Sequence, residues 1–224
     1  MLLTPRSALA EFIGSAALAL TVVGSGIAGE SLSNGSVAIA LLINAVATAG
    51  ALFVLIELFG SVSGAHFNPV VSVWAWSQRA LSISRLSLYV LAQVAGCTVG
   101  TILANLTFSE RAITISTHAR ASVAHGSAEI LATAGLLVLI GGLSACGKDR
   151  IVSAAVACYI GAGYFTFSST SFANPAITVG RMFTNSFAGI APASAPLFVA
   201  AQIIGGLVGA ALIVLLFVPV SSKE

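Results

Sequence analysis

Two places in the chain set an asparagine directly before a proline within an apolar surround: Asn68-Pro69-Val70 and Asn174-Pro175-Ala176. Proline suits the first position of a helix, where its missing N–H is not needed. The asparagine before it is a natural cap. Each pair therefore opens a helix and leaves an amide side chain at its mouth. The chemistry available to such a pair is recognition and not bond making. Two helix N-termini bring the positive ends of their dipoles, and two amides offer hydrogen-bond donors. A cation is repelled there, while a neutral hydroxylic solute finds hydrogen bonds. No nucleophile–base pair and no metal-ligand cluster accompanies the asparagines, so neither an enzyme nor a metal or other cofactor is expected.

The elements that must position these residues are membrane helices. Of 224 residues, 58% are hydrophobic and only 7% are charged, against about a quarter charged in a soluble domain. The net charge of +2 makes no case for nucleic acid. Cys97, Cys146 and Cys158 lie in apolar stretches without metal-ligand spacing; they read as small buried hydrophobes. Six stretches approach the roughly 20 apolar residues that a spanning helix needs: about 7–28, 36–58, 83–106, 126–146, 151–168 and 194–218. The first follows a single Arg6, contains Glu11 and is too long for a signal peptide, so it reads as a retained helix. Gly29 to Gly35, Ser109 to Ser122 and Gly147 to Arg150 supply the breaks. Ser61 to Ser77 and Ser168 to Gly189 do not fit the pattern. Each passes through Asn-Pro into a helix too short to span, and reads as a re-entrant loop packed in protein or lining a wet cavity.

The two halves match. Ala10-Glu11 opens one and Ala128-Glu129 the other. An Asn-Pro sits in the middle of each. Ala92-Gln93 with Gly96 and Gly100 closes the first, and Ala201-Gln202 with Gly205 and Gly209 the second. Three spans per half, an odd number, make the copies inverted. The expectation is one channel domain over 1–224, with inverted repeats of about 7–106 and 126–218 and a permeation site where the half-helices meet. The glycines are spaced for close helix packing. With both termini on one side, Arg6, Arg79, Arg85, Lys148, Arg150 and Lys223 share that side. Only Arg111, Arg120 and Arg181 fall opposite, which makes the termini cytoplasmic.

Ser63-Gly64-Ala65-His66-Phe67-Asn68-Pro69-Val70 resembles the first signature loop of the aquaporin superfamily, and Phe172-Ala173-Asn174-Pro175-Ala176 the second. The glutamate at each half's start and the Gln-Gly-Gly pattern match as well, so the resemblance covers the whole chain. Valine for alanine at position 70 is a small departure, since that residue packs. The resemblance implies an all-α membrane protein of six tilted helices and two re-entrant half-helices around one pore per subunit, usually a homotetramer. Asn68 and Asn174 then mark the pore centre. The carbonyls of Gly64, Ala65 and His66, and of Ser169, Thr170, Ser171 and Phe172, form an acceptor ladder along an apolar wall. Glu11 and Glu129 are intramembrane carboxylates, which suggest function, but a proton relay lacks titratable partners. Their expected role, also implied by the resemblance, is to accept hydrogen bonds from re-entrant backbone. His66 reads as a packed histidine donating to backbone rather than as a pH sensor.

The family's spacings carry its outer filter onto Thr48, Ala162, Ser171 and Ile177. An arginine normally follows the second motif, facing an aromatic residue and a histidine. All three are replaced here, at 177, 48 and 162. The expected constriction is wider, less polar and without a fixed cation. Arg181 lies four residues on, about 6 Å outward along a helix. It either presents charge to the outer mouth or anchors loop carbonyls, and the pairing of buried arginines favours the anchor. The run Ser168-Ser169-Thr170-Ser171-Phe172-Ala173-Asn174-Pro175-Ala176 resembles a bacterial subgroup that includes arsenic-resistance-associated channels. That resemblance implies a bacterial plasma membrane and small uncharged cargo: glycerol-like polyols, undissociated arsenite or methylated arsenicals, and water. The alternatives are a mainly water-conducting aquaporin and an ion- or proton-coupled secondary transporter, for which the buried polar groups are too few.

Overall fold

A computed structural model of the chain describes residues 5–217. The expected end of the last span, residue 218, and Lys223 lie outside the described residues. Eight α-helices follow in order: α1 (Pro5–Leu32), α2 (Val37–Ser63), α3 (Pro69–Ser77), α4 (Ile83–Thr107), α5 (Val123–Ala145), α6 (Val152–Thr166), α7 (Pro175–Gly180) and α8 (Ala195–Phe217). Caps start them where the sequence provides short polar side chains. Ser36, Ser82 and Ser122 accept from the N–H three residues on, satisfying one of the orphan donors at each helix start.

Helices α1, α2, α4, α5 and α8 are long and apolar enough to cross a membrane. The stretch expected at 151–168 is shorter as a helix. α6 has 15 residues, preceded by a 3-10 turn at Asp149–Ile151. The helix rises about 22 Å and the turn about 6 Å more, together close to the roughly 30 Å of a hydrocarbon core. The helix stops early because the chain must leave it at Phe167 to enter the second loop. Gly29 is not a break. α1 runs through it to Leu32, and the glycine serves packing instead, since a side chain at 29 would meet the backbone of Ala40.

The arrangement reverses a soluble core. Large apolar residues such as Leu91, Leu207 and Leu215 are exposed, while Glu11, Gln93, Glu129 and Gln202 are wholly buried. α1 packs on α4 and α5 on α8, with α2 against both α1 and α6. Cβ atoms at Gly96 and Gly100 would strike the carbonyl oxygens of Phe12 and Ala16; at Gly205 and Gly209 they would strike those of Ile130 and Ala134. Close approach at these two seams is therefore a requirement and not a preference. Of the cysteines, only Cys97 is buried; Cys146 and Cys158 are exposed thiols. Cys158 sits on an exposed face of α6, where apolar sequence marks a lipid-facing position as readily as a core one, and Cys146 caps the end of α5.

Gly100→Val should lower stability by at least about 1–3 kcal/mol through overpacking. Gly50→Ala, at a helical position with nothing within 4 Å of the added carbon, should be neutral or slightly stabilising. Thermal unfolding in detergent checks both.

Candidate pore

Each Asn-Pro helix is entered through a loop whose backbone is not helical. Gly64 closes α2 at φ 92°, followed by left-handed Ala65 and Phe67. The second loop has left-handed Thr170, Ser171 and Ala173. Such non-glycine conformations cost roughly 1–3 kcal/mol each and persist only where the surroundings over-determine them.

Two carboxylates do that. Glu11 Oε1 accepts from the Ser63 hydroxyl at 2.6 Å and the His66 N–H at 2.9 Å. Its Oε2 accepts from the Phe67 N–H at 2.7 Å and from Gln93 Nε2 at 2.8 Å. Glu129 repeats the plan. Phe172 N–H reaches Oε1 at 3.0 Å, while Ala173 N–H and Gln202 Nε2 reach Oε2 at 2.8 and 2.6 Å. Each glutamine also donates into the half-helix, Gln93 to Ser72 and Gln202 to Thr178.

The loops are then joined tip to tip. Asn68 Nδ2 donates to the Ala173 carbonyl and Asn174 Nδ2 to the Phe67 carbonyl, both at 2.8 Å. Each side-chain oxygen caps its own helix, Asn68 through the Val70 N–H and Asn174 through those of Ala176 and Ile177. An amide carries two N–H donors. One of each pair is thus committed to the opposite loop, and the other is left for a solute.

A cavity of about 330 Å³ passes these tips. It extends from Gln78 and Val152 at one end, past Asn68 and Asn174, to Arg181 at the other. Gly64, Ala65 and His66 line it on one side and Ser171 and Phe172 on the other. Ser169 and Thr170 are not among its lining residues. Ser169 is fully buried and its hydroxyl accepts from the Ser171 N–H; the Thr170 N–H turns back to the Phe167 carbonyl. His66 lines the cavity, but its Nδ1 meets the Ser72 hydroxyl at 3.0 Å rather than backbone.

The outer constriction differs most from expectation. Thr48, Ser171 and Ile177 line the cavity, whereas Ala162 is exposed on the outside of α6. Tyr164 takes its place, with its hydroxyl 3.0 Å from that of Thr48. Two positions along a helix rotate a side chain by about 200°, so the gap-free spacing pointed at the wrong face. Arg181 is 3% exposed, donates from Nε to the Ala188 carbonyl, and holds its guanidinium carbon 3.5 Å from the centre of the Phe172 ring. It lines the cavity too. Mouth and anchor were never exclusive, because one long side chain does both. Position 177 itself supplies no cation; Arg181, one turn on, places one on the cavity wall.

Outside the membrane segments, Arg120 reaches in from the outer loop to the carbonyls of Gly189 and Phe187 at 2.7 and 2.9 Å. Burial lowers its pKa from the ordinary value, though an arginine remains charged. His118 and His125 bind the carbonyls of Asn185 and Arg120. At the opposite end, Glu57 accepts from the Ser153 hydroxyl. Among the described residues, no group of three or more His, Cys, Asp or Glu is placed to hold a metal ion.

Residues 2–167 match the major intrinsic protein family. The chain belongs to that family. It is 42% identical over 209 residues to the aquaglyceroporin AqpS of Rhizobium meliloti (strain 1021), covering 92% of this chain and 88% of that one. It is 32% identical to the probable aquaporin TIP1-1 of Oryza sativa subsp. japonica, over 78% of this chain and 74% of the relative. Among solved structures, the aquaglyceroporin from Plasmodium falciparum superposes with a TM-score of 0.72 at 21% identity, over 92% of this chain and 94% of that one, a likeness that shows the fold.

Within this major intrinsic protein, sequence reasoning passed over Ser63, Ser72, Thr178 and Tyr164 as site residues. A signal existed for two of them. Ser72 and Thr178 each stand four residues after their asparagine, a hydroxyl at matched places in the two half-helices. Glu129→Gln should destabilise the protein by about 1.5–3 kcal/mol, since an NH₂ group would face donors that now reach a charged acceptor. Adding Gln202→Glu should recover only part of that, because the two loop N–H groups still share one acceptor oxygen. Detergent melting curves of the two variants and the parent check this.

Proposed function

We propose that this chain is a passive, bidirectional channel for small uncharged solutes and water, each moving down its own gradient. The observation that carries the reading is the cavity threaded past two crossed asparagines, each with one donor uncommitted. The half-helices bring positive dipole ends to the same place, which disfavours cations and leaves neutral hydroxylic solutes in favour. The proposed cargo is glycerol-like polyols and undissociated metalloid hydroxides such as arsenite, with methylated arsenicals as candidates. The name of the rhizobial relative, an aquaglyceroporin, supports the polyol part. Inverted halves, a homotetramer, cytoplasmic termini and a bacterial plasma membrane complete the proposal. Glu11 and Glu129 are loop anchors in it, not proton carriers, and no catalysis is involved.

A mainly water-conducting aquaporin is the second reading. It is favoured by Tyr164 and Arg181, both bulky, at a constriction expected to hold small and mid-sized residues. A coupled transporter is a third, and gradient-driven accumulation of solute in proteoliposomes would establish it.

A panel of neutral solutes in proteoliposomes separates these. Glycerol and arsenite should enter well above the rate of protein-free vesicles, without an ion or proton gradient. Ile177→Arg adds a guanidinium to the constriction beside that of Arg181 and should cut glycerol and arsenite flux more than water flux. Equal loss of both in assembled protein would count against the filter assignment.

A further inference from the structure

We propose that Arg181 and Arg120, both held over the ring of Phe172, form the cation barrier that position 177 does not supply. The proposal rests on the channel reading above. Position 177 carries isoleucine, 4% exposed and lining the cavity. One helical turn later, Arg181 lines the same cavity. Side chains on a helix lean back toward its N-terminus, and this one leans far enough to lie 3.5 Å over Phe172, a residue that precedes Asn174. Arg120 arrives from the loop between α4 and α5 and sits 5.5 Å from the same ring. Two chain-distant cations thus converge on one aromatic face-bearing residue of the pore wall.

Their hydrogen bonds hold them there without neutralising them. Arg181 donates to the carbonyl of Ala188, and Arg120 to those of Phe187 and Gly189. Three consecutive carbonyls are clasped by two guanidinium groups. Among the described residues, every acceptor these bonds use is backbone and carries no formal charge. Glu129, the buried carboxylate of this half, is bound by the neutral donors of Phe172, Ala173 and Gln202 and keeps its charge, so it offsets one of the two cations and leaves the other. The outer constriction therefore keeps net positive charge in a water-poor setting, where a unit charge acts far more strongly than in bulk water. Thr48 and Tyr164, hydroxyl to hydroxyl, complete the polar side of the same constriction.

The rival account is that both arginines only fasten the 187–189 segment. Ile177→Arg in an Arg181→Gln background tells the two apart. It returns a guanidinium to the constriction but does not restore the bond that Arg181 makes to Ala188. Proton entry is read in proteoliposomes by an entrapped pH dye under a valinomycin-clamped potential, with glycerol and water flux measured on the same vesicles. Arg181→Gln should raise proton leak by at least about tenfold, out of proportion to any change in glycerol flux, as expected on removing a poorly screened charge. The double variant should bring the leak back toward the parent. A tight Arg181→Gln protein that still conducts glycerol would overturn the proposal, and so would a leak that Ile177→Arg leaves in place. Should Arg181→Gln not assemble, Arg120→Gln is measured instead. A leak raised about threefold or more supports the pair, and an unchanged leak overturns it. If the parent passes neither water nor glycerol faster than empty vesicles, the channel reading itself falls.

Discussion

Backbone that leaves the helix at membrane depth has to find its hydrogen bonds within the protein or in a wet cavity, and two carboxylates meet the donor side of that demand here. A buried ion is costly by several kcal/mol unless hydrogen bonds occupy its lone pairs. Glu11 accepts four, and Glu129 three with the Ser169 hydroxyl also against it. The dependence runs outward from there. A glutamine reaches each carboxylate only because α4 lies against α1 and α8 against α5. Those seams exist only because Gly96, Gly100, Gly205 and Gly209 have no side chain. Remove the close approach and the glutamine withdraws, the carboxylate loses a donor that orients it, and the strained residues that precede each asparagine lose the contacts that hold them.

The asparagines sit at the end of this chain of dependence. Each closes its own helix with an oxygen and the opposite loop with a nitrogen. The two half-helices are consequently fixed in register to within a hydrogen bond. That precision has a chemical consequence. A donor that is loose adapts to any ligand, whereas an amide pinned by its oxygen and one N–H offers the remaining N–H in a set direction. Preorganised donors of this kind spend little on reordering when a solute arrives, which suits passage better than tight binding.

Much of this was legible in the sequence, for a physical reason. Glu11 and Glu129, Gln93 and Gln202, and the four glycines occur twice in the same order, and a repeated polar or small residue in an apolar span has few uses other than packing and loop support. The parts that were not legible depend on where a helix points. Counting back from Asn174 put Ala162 at the constriction, but a two-residue difference in register turns the helix by more than half a circle, and Tyr164 faces inward instead. Likewise, Arg181 posed a choice between mouth and anchor that spacing cannot resolve, since the answer lies in a side chain long enough to bond Ala188 and cover Phe172 together. Cys146 and Cys158 failed for a third reason: in a bilayer, apolar neighbours do not mean a buried position.

Moving an arginine by one turn changes more than the location of a charge. At position 177 the chain is still in the first turn of α7, where the Ile177 N–H is capped by Asn174. An apolar side chain there gives the constriction a greasy wall, continued by the Phe172 ring. The charge from Arg181 and the paired hydroxyls of Thr48 and Tyr164 supply polar groups to the same constriction. A constriction that is part polar and part apolar does not reward water, which is polar on every side, as much as a solute carrying hydroxyls on a hydrocarbon stem. On the proposed reading, selectivity for polyol-like cargo therefore arises from dividing the wall and not from widening it, with Ile177 meeting the stem and the displaced guanidinium keeping cations out.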